Sequence, residues 1–173
     1  SGLERLVELK TYDDLPQAFL GRKSSTQVDF DDDIPLDMQC AKDESELIKK
    51  AKSDFGRKPV IEDCPMGCSM LGAPDLVFDF SDTYAGIIVC VETKILSNRK
   101  HSAASRLKFV RKQVRKYSKV ISILREDAMV IGLTLTESGY NFVHVENPDS
   151  LKIAHMRKHL PLDHEEWEKL VMW

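Results

Sequence analysis

The sequence predicts an α/β (α+β) fold in which a central mixed β-sheet is flanked by helices. Apolar positions recur every 3.6 residues in residues 102–124, and apolar runs typical of strands occur on both sides of that segment. The elements are predicted in the order helix, strand, strand, helix, strand, strand, helix, which is typical of a layered sheet. A chain of 173 residues, 42% hydrophobic and 31% charged, can bury a core in one compact domain.

The first 42 residues are predicted to lie outside the main core. Residues 3–20 are weakly helical, and residues 21–42 are polar, acidic and expected to form a loop or a poorly ordered segment. The domain prediction is therefore an N-terminal helix and acidic loop at residues 1–42, followed by the core at residues 43–173.

Residues 43–55 have the pattern of an amphipathic helix. Asp43 can cap its start, Glu46 stands three residues later as in a capping box, and Gly56 can end it. Glu44 falls on the apolar stripe of this helix, whereas Glu46 does not.

Residues 73–96, APDLVFDFSDTYAGIIVCVETKIL, predict two strands around a polar turn, with charged residues inside the apolar runs. Strand side chains alternate, so Glu92 and Lys94 share one face, and Asp75 can approach Glu92 if the two strands pair. Two carboxylates that converge at the edge of a sheet attract a hard divalent cation such as Mg²⁺. A lysine beside them can stabilise negative charge during phosphate chemistry.

Residues 102–124 form the predicted long helix, and the chain around it is strongly basic. Residues 95–125 hold ten Lys and Arg residues and no acid, although the net charge of the chain is −3. This asymmetry predicts a surface for a polyanion, and a solvated helix face is the alternative. Strands at residues 128–136 and 140–146 and a last helix at residues 161–173 complete the prediction.

Pro74 and Asp75, followed by a strand and by Glu92-Thr93-Lys94, resemble the motif of the PD-(D/E)xK nuclease superfamily. Gln113 and Tyr117 on the next helix resemble the Q-x-x-x-Y element of RecB-like nucleases. The resemblance covers about residues 43–146. It implies a restriction-endonuclease-like core and hydrolysis of phosphodiester bonds in DNA or RNA with Mg²⁺ or Mn²⁺.

The resemblance also implies a role for each matching residue. Asp75, Glu92 and Lys94 would be catalytic, with Asp75 and Glu92 as metal ligands, and Gln113 and Tyr117 would be auxiliary. Glu44 is the expected further ligand from the preceding helix, with Glu46 as the second choice. Basic side chains of the long helix are expected to bind the phosphates of the nucleic acid: Arg106, Lys108, Arg111, Lys112, Arg115 and Lys116.

Three other functions remain open from the sequence. The chain could be a catalytically inactive nuclease-like module that binds nucleic acid or protein. It could be a viral cap-snatching endonuclease domain of the subtype without a histidine ligand, since no histidine precedes His101. It could also be a structural adaptor in which the acidic and basic regions bind each other or a partner.

Cys64 and Cys68, and His155 and His159, have spacings that a zinc site could use, although a loop cysteine pair and a solvated histidine pair are the simpler interpretation. Four cysteines do not make a disulfide scaffold, so an intracellular setting, cytoplasmic or nuclear, is expected. No apolar run approaches the length of a membrane span, and no membrane partner is predicted.

Overall fold

The computed structural model of the protein describes residues 34–62, 74–97 and 102–173. Within these residues the strands form one mixed sheet in the order β1-β2-β3-β4-β5, with helices packed on it, so the predicted α+β class is confirmed. The elements in chain order are α1 (Ile34–Phe55), β1 (Ile61–Glu62), β2 (Leu76–Asp79), β3 (Ile87–Thr93), α2 (Ala103–Leu124), β4 (Met129–Thr136), β5 (Gly139–Glu146), α3 (Ser150–Met156) and α4 (His164–Val171).

The strand pairing follows from the connections between the strands. β2 pairs antiparallel with both β1 and β3, and β4 pairs antiparallel with β5. The β2–β3 and β4–β5 pairs are joined by short connections, as antiparallel neighbours can be. β3 and β4 pair parallel, which requires a crossover, and α2 is that crossover. The long basic helix therefore lies across the sheet above β3 and β4.

Helix α1 begins nine residues earlier than the sequence predicted, at Ile34. Pro35 lies in its first turn, where a missing N–H removes no helical hydrogen bond. Asp43 is consequently inside the helix, so the predicted cap at Asp43 with a capping box at Glu46 is wrong. A domain boundary between residues 42 and 43 would cut this helix. Gly56, with φ of 63°, ends the helix as predicted.

Predictions for residues before 34, including the helix at residues 3–20, lie outside the described residues. Two short elements were not predicted. Strand β1 extends the sheet by two residues, and α3 begins after Asp149, whose carboxylate accepts hydrogen bonds from the Leu151 and Lys152 N–H groups. The last helix is shorter than residues 161–173, and Asp163 caps its start.

The sheet buries both of its faces, because side chains alternate along every strand. One face packs against α1, α3 and α4 through a large apolar core that includes Phe78, Val89, Leu133 and Trp167. The other face packs against α2 through a smaller core, which contains Val77, Ile88, Cys90, Tyr117, Ile121 and Val130. The charged positions of the β2–β3 hairpin belong to the face covered by α2.

Gly132 lets α2 approach β4 closely. A Cβ atom at this position would lie 2.5 Å from Val114 Cγ1 and 2.7 Å from Ser118 Oγ. We therefore expect Gly132→Ala to lower the free energy of unfolding by about 1–3 kcal/mol, because helix and strand would have to separate. Chemical denaturation measures this change. Adding Val114→Ala to Gly132→Ala should lower the free energy of unfolding by less than Val114→Ala lowers it in the parent protein. Strictly additive losses would contradict the close approach of helix and strand.

A side chain accepts a hydrogen bond from the backbone at the outer edge of β5. A bulge interrupts the β4–β5 pairing after Gly132, and the Phe142 N–H donates to Glu166 Oε2 of α4 at 2.7 Å. Glu166 is buried and also accepts from Lys169 Nζ at 2.7 Å. Among the residues that the structure describes, no helix combines the length and apolar character needed to cross a bilayer.

Candidate functional site

Asp75 and Glu92 are in contact at the end of the β2–β3 hairpin. Leu76 is opposite Val91 in the strand register, which places Asp75 opposite Glu92. The Asp75 N–H donates to Glu92 Oε1 at 3.0 Å. Asp75 Oδ2 also accepts from Thr93 N–H at 2.8 Å and from Thr93 Oγ1 at 3.1 Å. The backbone thus holds both carboxyl groups in fixed positions.

The electrostatics of this pair favour a shared positive partner. Glu92 is only 4% exposed. Burial raises the pKa of the Asp75 carboxyl above its ordinary value, and the Glu92 and Thr93 hydrogen bonds and the Lys94 charge offset part of that increase. Two carboxylates in contact repel each other unless a proton or a cation lies between them.

Lys94 lies beside the pair and links it to α1. Its N–H donates to the Leu135 carbonyl at 3.0 Å, which keeps it in register just beyond the end of β3. Its Nζ is 3.9 Å from Glu44 Oε1, and both side chains are largely buried. Glu46 is exposed. The structure therefore places Asp75 and Glu92 in contact, with Lys94 beside them and Glu44 against Lys94, and it leaves Glu46 exposed.

The carboxylates suit a cation that needs few protein ligands. Within the described residues, no group of three or more His, Cys, Asp or Glu side chains is arranged to hold a metal ion. Asp75 and Glu92 are the two that converge, whereas Glu44 is paired with Lys94, so its expected role as a further metal ligand has no support. Mg²⁺ is commonly held by one or two carboxylates together with waters and substrate phosphates. The Asp75–Glu92 pair fits such an ion.

Thr134 is a neighbour of the site that the sequence did not indicate. It is paired with Glu92 across β3 and β4, and its side chain is completely buried. Its hydroxyl has no hydrogen-bond partner among the described residues. A buried unpaired hydroxyl costs free energy, which makes it available to hold a ligand of the site. Only the β3–β4 register reveals this, since the two residues are 42 apart in sequence.

Tyr117 and Gln113 lie on α2 above this region. Tyr117 is buried in the core with Val77 and Cys90, which lie two residues from Asp75 and Glu92 on the same sheet face. Gln113 is half-buried and lies one helical turn nearer to the end of the sheet that carries Asp75 and Glu92. Tyr117 is thus chiefly a core residue, and Gln113 is the better placed of the two to approach the site.

Cys90 is not a nucleophile candidate. It is fully buried between Val77 and the helix, and burial raises the pKa of its thiol, with further increases from the charges of Glu92 and Asp75. A thiol in such surroundings stays neutral and behaves as a small apolar side chain.

The six basic residues expected to bind phosphates do not form one surface. Lys108, Lys112 and Arg115 are exposed on the solvent face of α2, about 10 Å across the helix from the sheet. Arg111 and Lys116 are half-buried at its sides, and the Lys116 ammonium lies 5.7 Å from the centre of the Tyr117 ring.

Arg106 departs from the prediction that this set is exposed. It is buried, because the first turn of α2 packs against the end of the sheet, and its Nε donates to the Ile95 carbonyl at 2.9 Å. Arg106 therefore belongs with the carboxylate end of β3 and not with the solvent-facing stripe.

The histidine pair that suggested zinc lies at the other end of β2. The rings of His155 and His159 are 5.2 Å apart, and His155 also contacts Tyr84 while His159 contacts Phe80. Cys64 and Cys68 lie outside the described residues. Of the four residues that suggested a zinc site, the structure therefore describes only the two histidines.

The comparisons with known proteins add no relative to this description. The chain matches no family model, no curated protein and no solved structure.

Proposed function

We propose that the protein is a metal-dependent nuclease that hydrolyses phosphodiester bonds of DNA or RNA. The observation that supports this most is the contact between Asp75 and Glu92 at the end of the hairpin, with Lys94 beside them. The Pro-Asp and Glu-x-Lys spacing resembles the PD-(D/E)xK motif, and the three charged side chains of that motif lie together.

Each residue has a chemical task in this proposal. Asp75 and Glu92 would hold a Mg²⁺ or Mn²⁺ ion, which supplies a water of lowered pKa and neutralises phosphate charge. Thr93 fixes the Asp75 carboxylate through two hydrogen bonds. Lys94 would stabilise the negative charge that develops on the phosphate, and burial of its side chain strengthens that interaction by excluding water. Glu44 would orient the Lys94 ammonium.

A second candidate is a nuclease-like module without catalytic activity. The absence of a third metal-ligating side chain at the carboxylate pair, within the described residues, favours it. Binding of Mn²⁺ separates the two, because an ion that binds only the folded state raises the unfolding midpoint. An inactive module should show no such increase.

The test of the proposal is cleavage of labelled single- and double-stranded DNA and RNA with Mn²⁺, with EDTA as the metal-free control. We expect cleavage only with the metal, and we expect Lys94→Ala to lower the rate by about 10²–10³-fold, because it removes a charge that acts mainly in the transition state.

Lys49→Ala is the matched control, since Lys49 is an exposed lysine of α1 away from the site and should leave the rate unchanged. Cleavage that persists in EDTA, or that Lys94→Ala leaves intact, would overturn the proposal.

A further inference from the structure

Arg106 is a buried cation for which the described residues supply no anionic partner. Its side chain is 7% exposed, in the first turn of α2. Its Nε donates to the neutral Ile95 carbonyl, and no described carboxylate lies within ion-pairing distance of its guanidinium. By contrast, Arg57 and Arg125 each pair with a carboxylate.

Only the Nε of this guanidinium is hydrogen-bonded within the described residues, and its partner is a neutral carbonyl. Its two terminal nitrogens are not sealed from solvent, so they can still bind an anion that supplies the missing counter-charge. The nearby sequence offers no compensation, since residues 95–125 contain no acid. Five N–H donors in a planar fork match the oxygens of a phosphate group, which would supply the missing charge.

The start of α2 adds to this preference for an anion. The first turn contains no acidic residue, and the Ser102 hydroxyl caps it by accepting from the Ser105 N–H. The N-terminal end of a 22-residue helix carries a partial positive charge, so an anion near Arg106 would also meet the positive end of the helix dipole.

The position of Arg106 connects it to the candidate site. Ile95, whose carbonyl holds the guanidinium, directly follows Lys94 in the chain. Arg106 is therefore anchored at the same end of β3 as the carboxylate pair, while Lys94 is the cation whose charge acts on Asp75.

We propose that Arg106 binds a phosphate group of the substrate next to the phosphate that is cleaved. This inference rests on the proposed nuclease function and assigns Arg106 a positioning role. It separates Arg106 from the solvent-facing stripe of Lys108, Lys112 and Arg115, which is a helix diameter away from the sheet. A strand bound through Arg106 would be directed towards Asp75 and Glu92.

The experiment measures the unfolding midpoint of the metal-free protein during titration with inorganic phosphate, against potassium chloride at matched ionic strength. We expect phosphate to raise the midpoint of the parent protein. Arg106→Gln should weaken the apparent phosphate affinity by about tenfold or more, because it removes a charge-assisted interaction. The matched control Lys112→Gln should change that affinity less than about twofold, since an exposed lysine contributes little.

Arg106→Lys guards against a variant that is simply unstable, since it keeps the charge and should retain part of the phosphate response. A parent protein without a phosphate response, or equal responses in the parent and Arg106→Gln, would overturn the assignment, as would an equal loss in Lys112→Gln. The titration needs neither metal nor cleavage. Failure of the nuclease proposal would instead appear as no metal-dependent cleavage beside an intact phosphate response.

In the cleavage assay, Arg106→Gln should raise KM more than it lowers kcat. That division marks a residue that holds the substrate and does not act on the reacting atoms.

Discussion

Asp75→Asn is expected to abolish metal-linked stabilisation and lower the cleavage rate by about 10³-fold or more, while the metal-free protein stays at least as stable as the parent at neutral pH. The loss follows because the amide replaces one of the two carboxylates that, within the described residues, are proposed to hold the metal. At a Mn²⁺ concentration of about 100 times the dissociation constant, the parent should gain about 2.7 kcal/mol, and the variant should gain none.

The difference in stability between the metal-free parent and the Asp75→Asn variant depends on pH, because Asp75 of the parent has a raised pKa. A folded-state pKa above the ordinary value of 3.8 means that the folded protein binds the proton more tightly than the unfolded chain. The contribution of Asp75 to stability therefore decreases as pH rises from about 3.8 through the folded pKa, and the full penalty is present above it. The side-chain amide of the Asp75→Asn variant cannot ionise, so its advantage over the parent should appear over that interval and persist at higher pH.

Chemical denaturation between pH 3 and 8, with and without Mn²⁺, measures both effects. Glu46→Gln is the matched control, because it removes an exposed acid from α1 and should leave the metal response unchanged. If Asp75 served only to cap the end of the hairpin, Asp75→Asn would lower stability at all pH values and leave any Mn²⁺ response in place. That result would contradict the assignment of Asp75 as a ligand.

Phe55→Ala is expected to lower the free energy of unfolding by about 3–5 kcal/mol, the largest stability effect among the substitutions considered. Phe55 is the last residue of α1, and its ring stacks on Phe78 with centroids 4.4 Å apart. It also contacts Phe80 at 6.1 Å and Tyr140 at 6.0 Å. Truncation would leave a cavity where α1 meets the sheet, and aromatic contacts add to the area lost.

Ile123→Ala is the control for this prediction, since Ile123 is 59% exposed on α2 and should change stability by less than about 0.5 kcal/mol. The loss of unfolding free energy in Phe55→Leu should lie between the losses in Ile123→Ala and Phe55→Ala. Urea denaturation followed by circular dichroism measures all three variants. A loss below about 1 kcal/mol for Phe55→Ala would mean that α1 does not depend on this aromatic cluster.

Local periodicity determined most of the fold. The 3.6-residue repeat of α2 predicted its extent to within one residue, and the apolar runs predicted β2, β3, β4 and β5. The short hairpin made antiparallel pairing of the Asp75 strand with β3 the simplest arrangement, and this pairing sets Asp75 opposite Glu92. These features depend on neighbours in the chain, so the sequence contains the information to predict them.

Other features depended on contacts between distant segments. Helix α1 begins at Ile34 although Pro35 lies in its first turn, and a proline there weakens the local helix signal. Glu44 lies against Lys94, and this contact depends on how α1 packs against the end of β3, which the local sequence does not show.

The sequence by itself determined the strands, the long helix and the hairpin pairing that brings Asp75 next to Glu92. The tertiary structure decided that Arg106 is buried, that Thr134 lies beside Glu92 and that Tyr117 belongs to the core. The reason is physical: periodicity states which side of an element a residue occupies, whereas burial, desolvation and pairing depend on which other element covers that side.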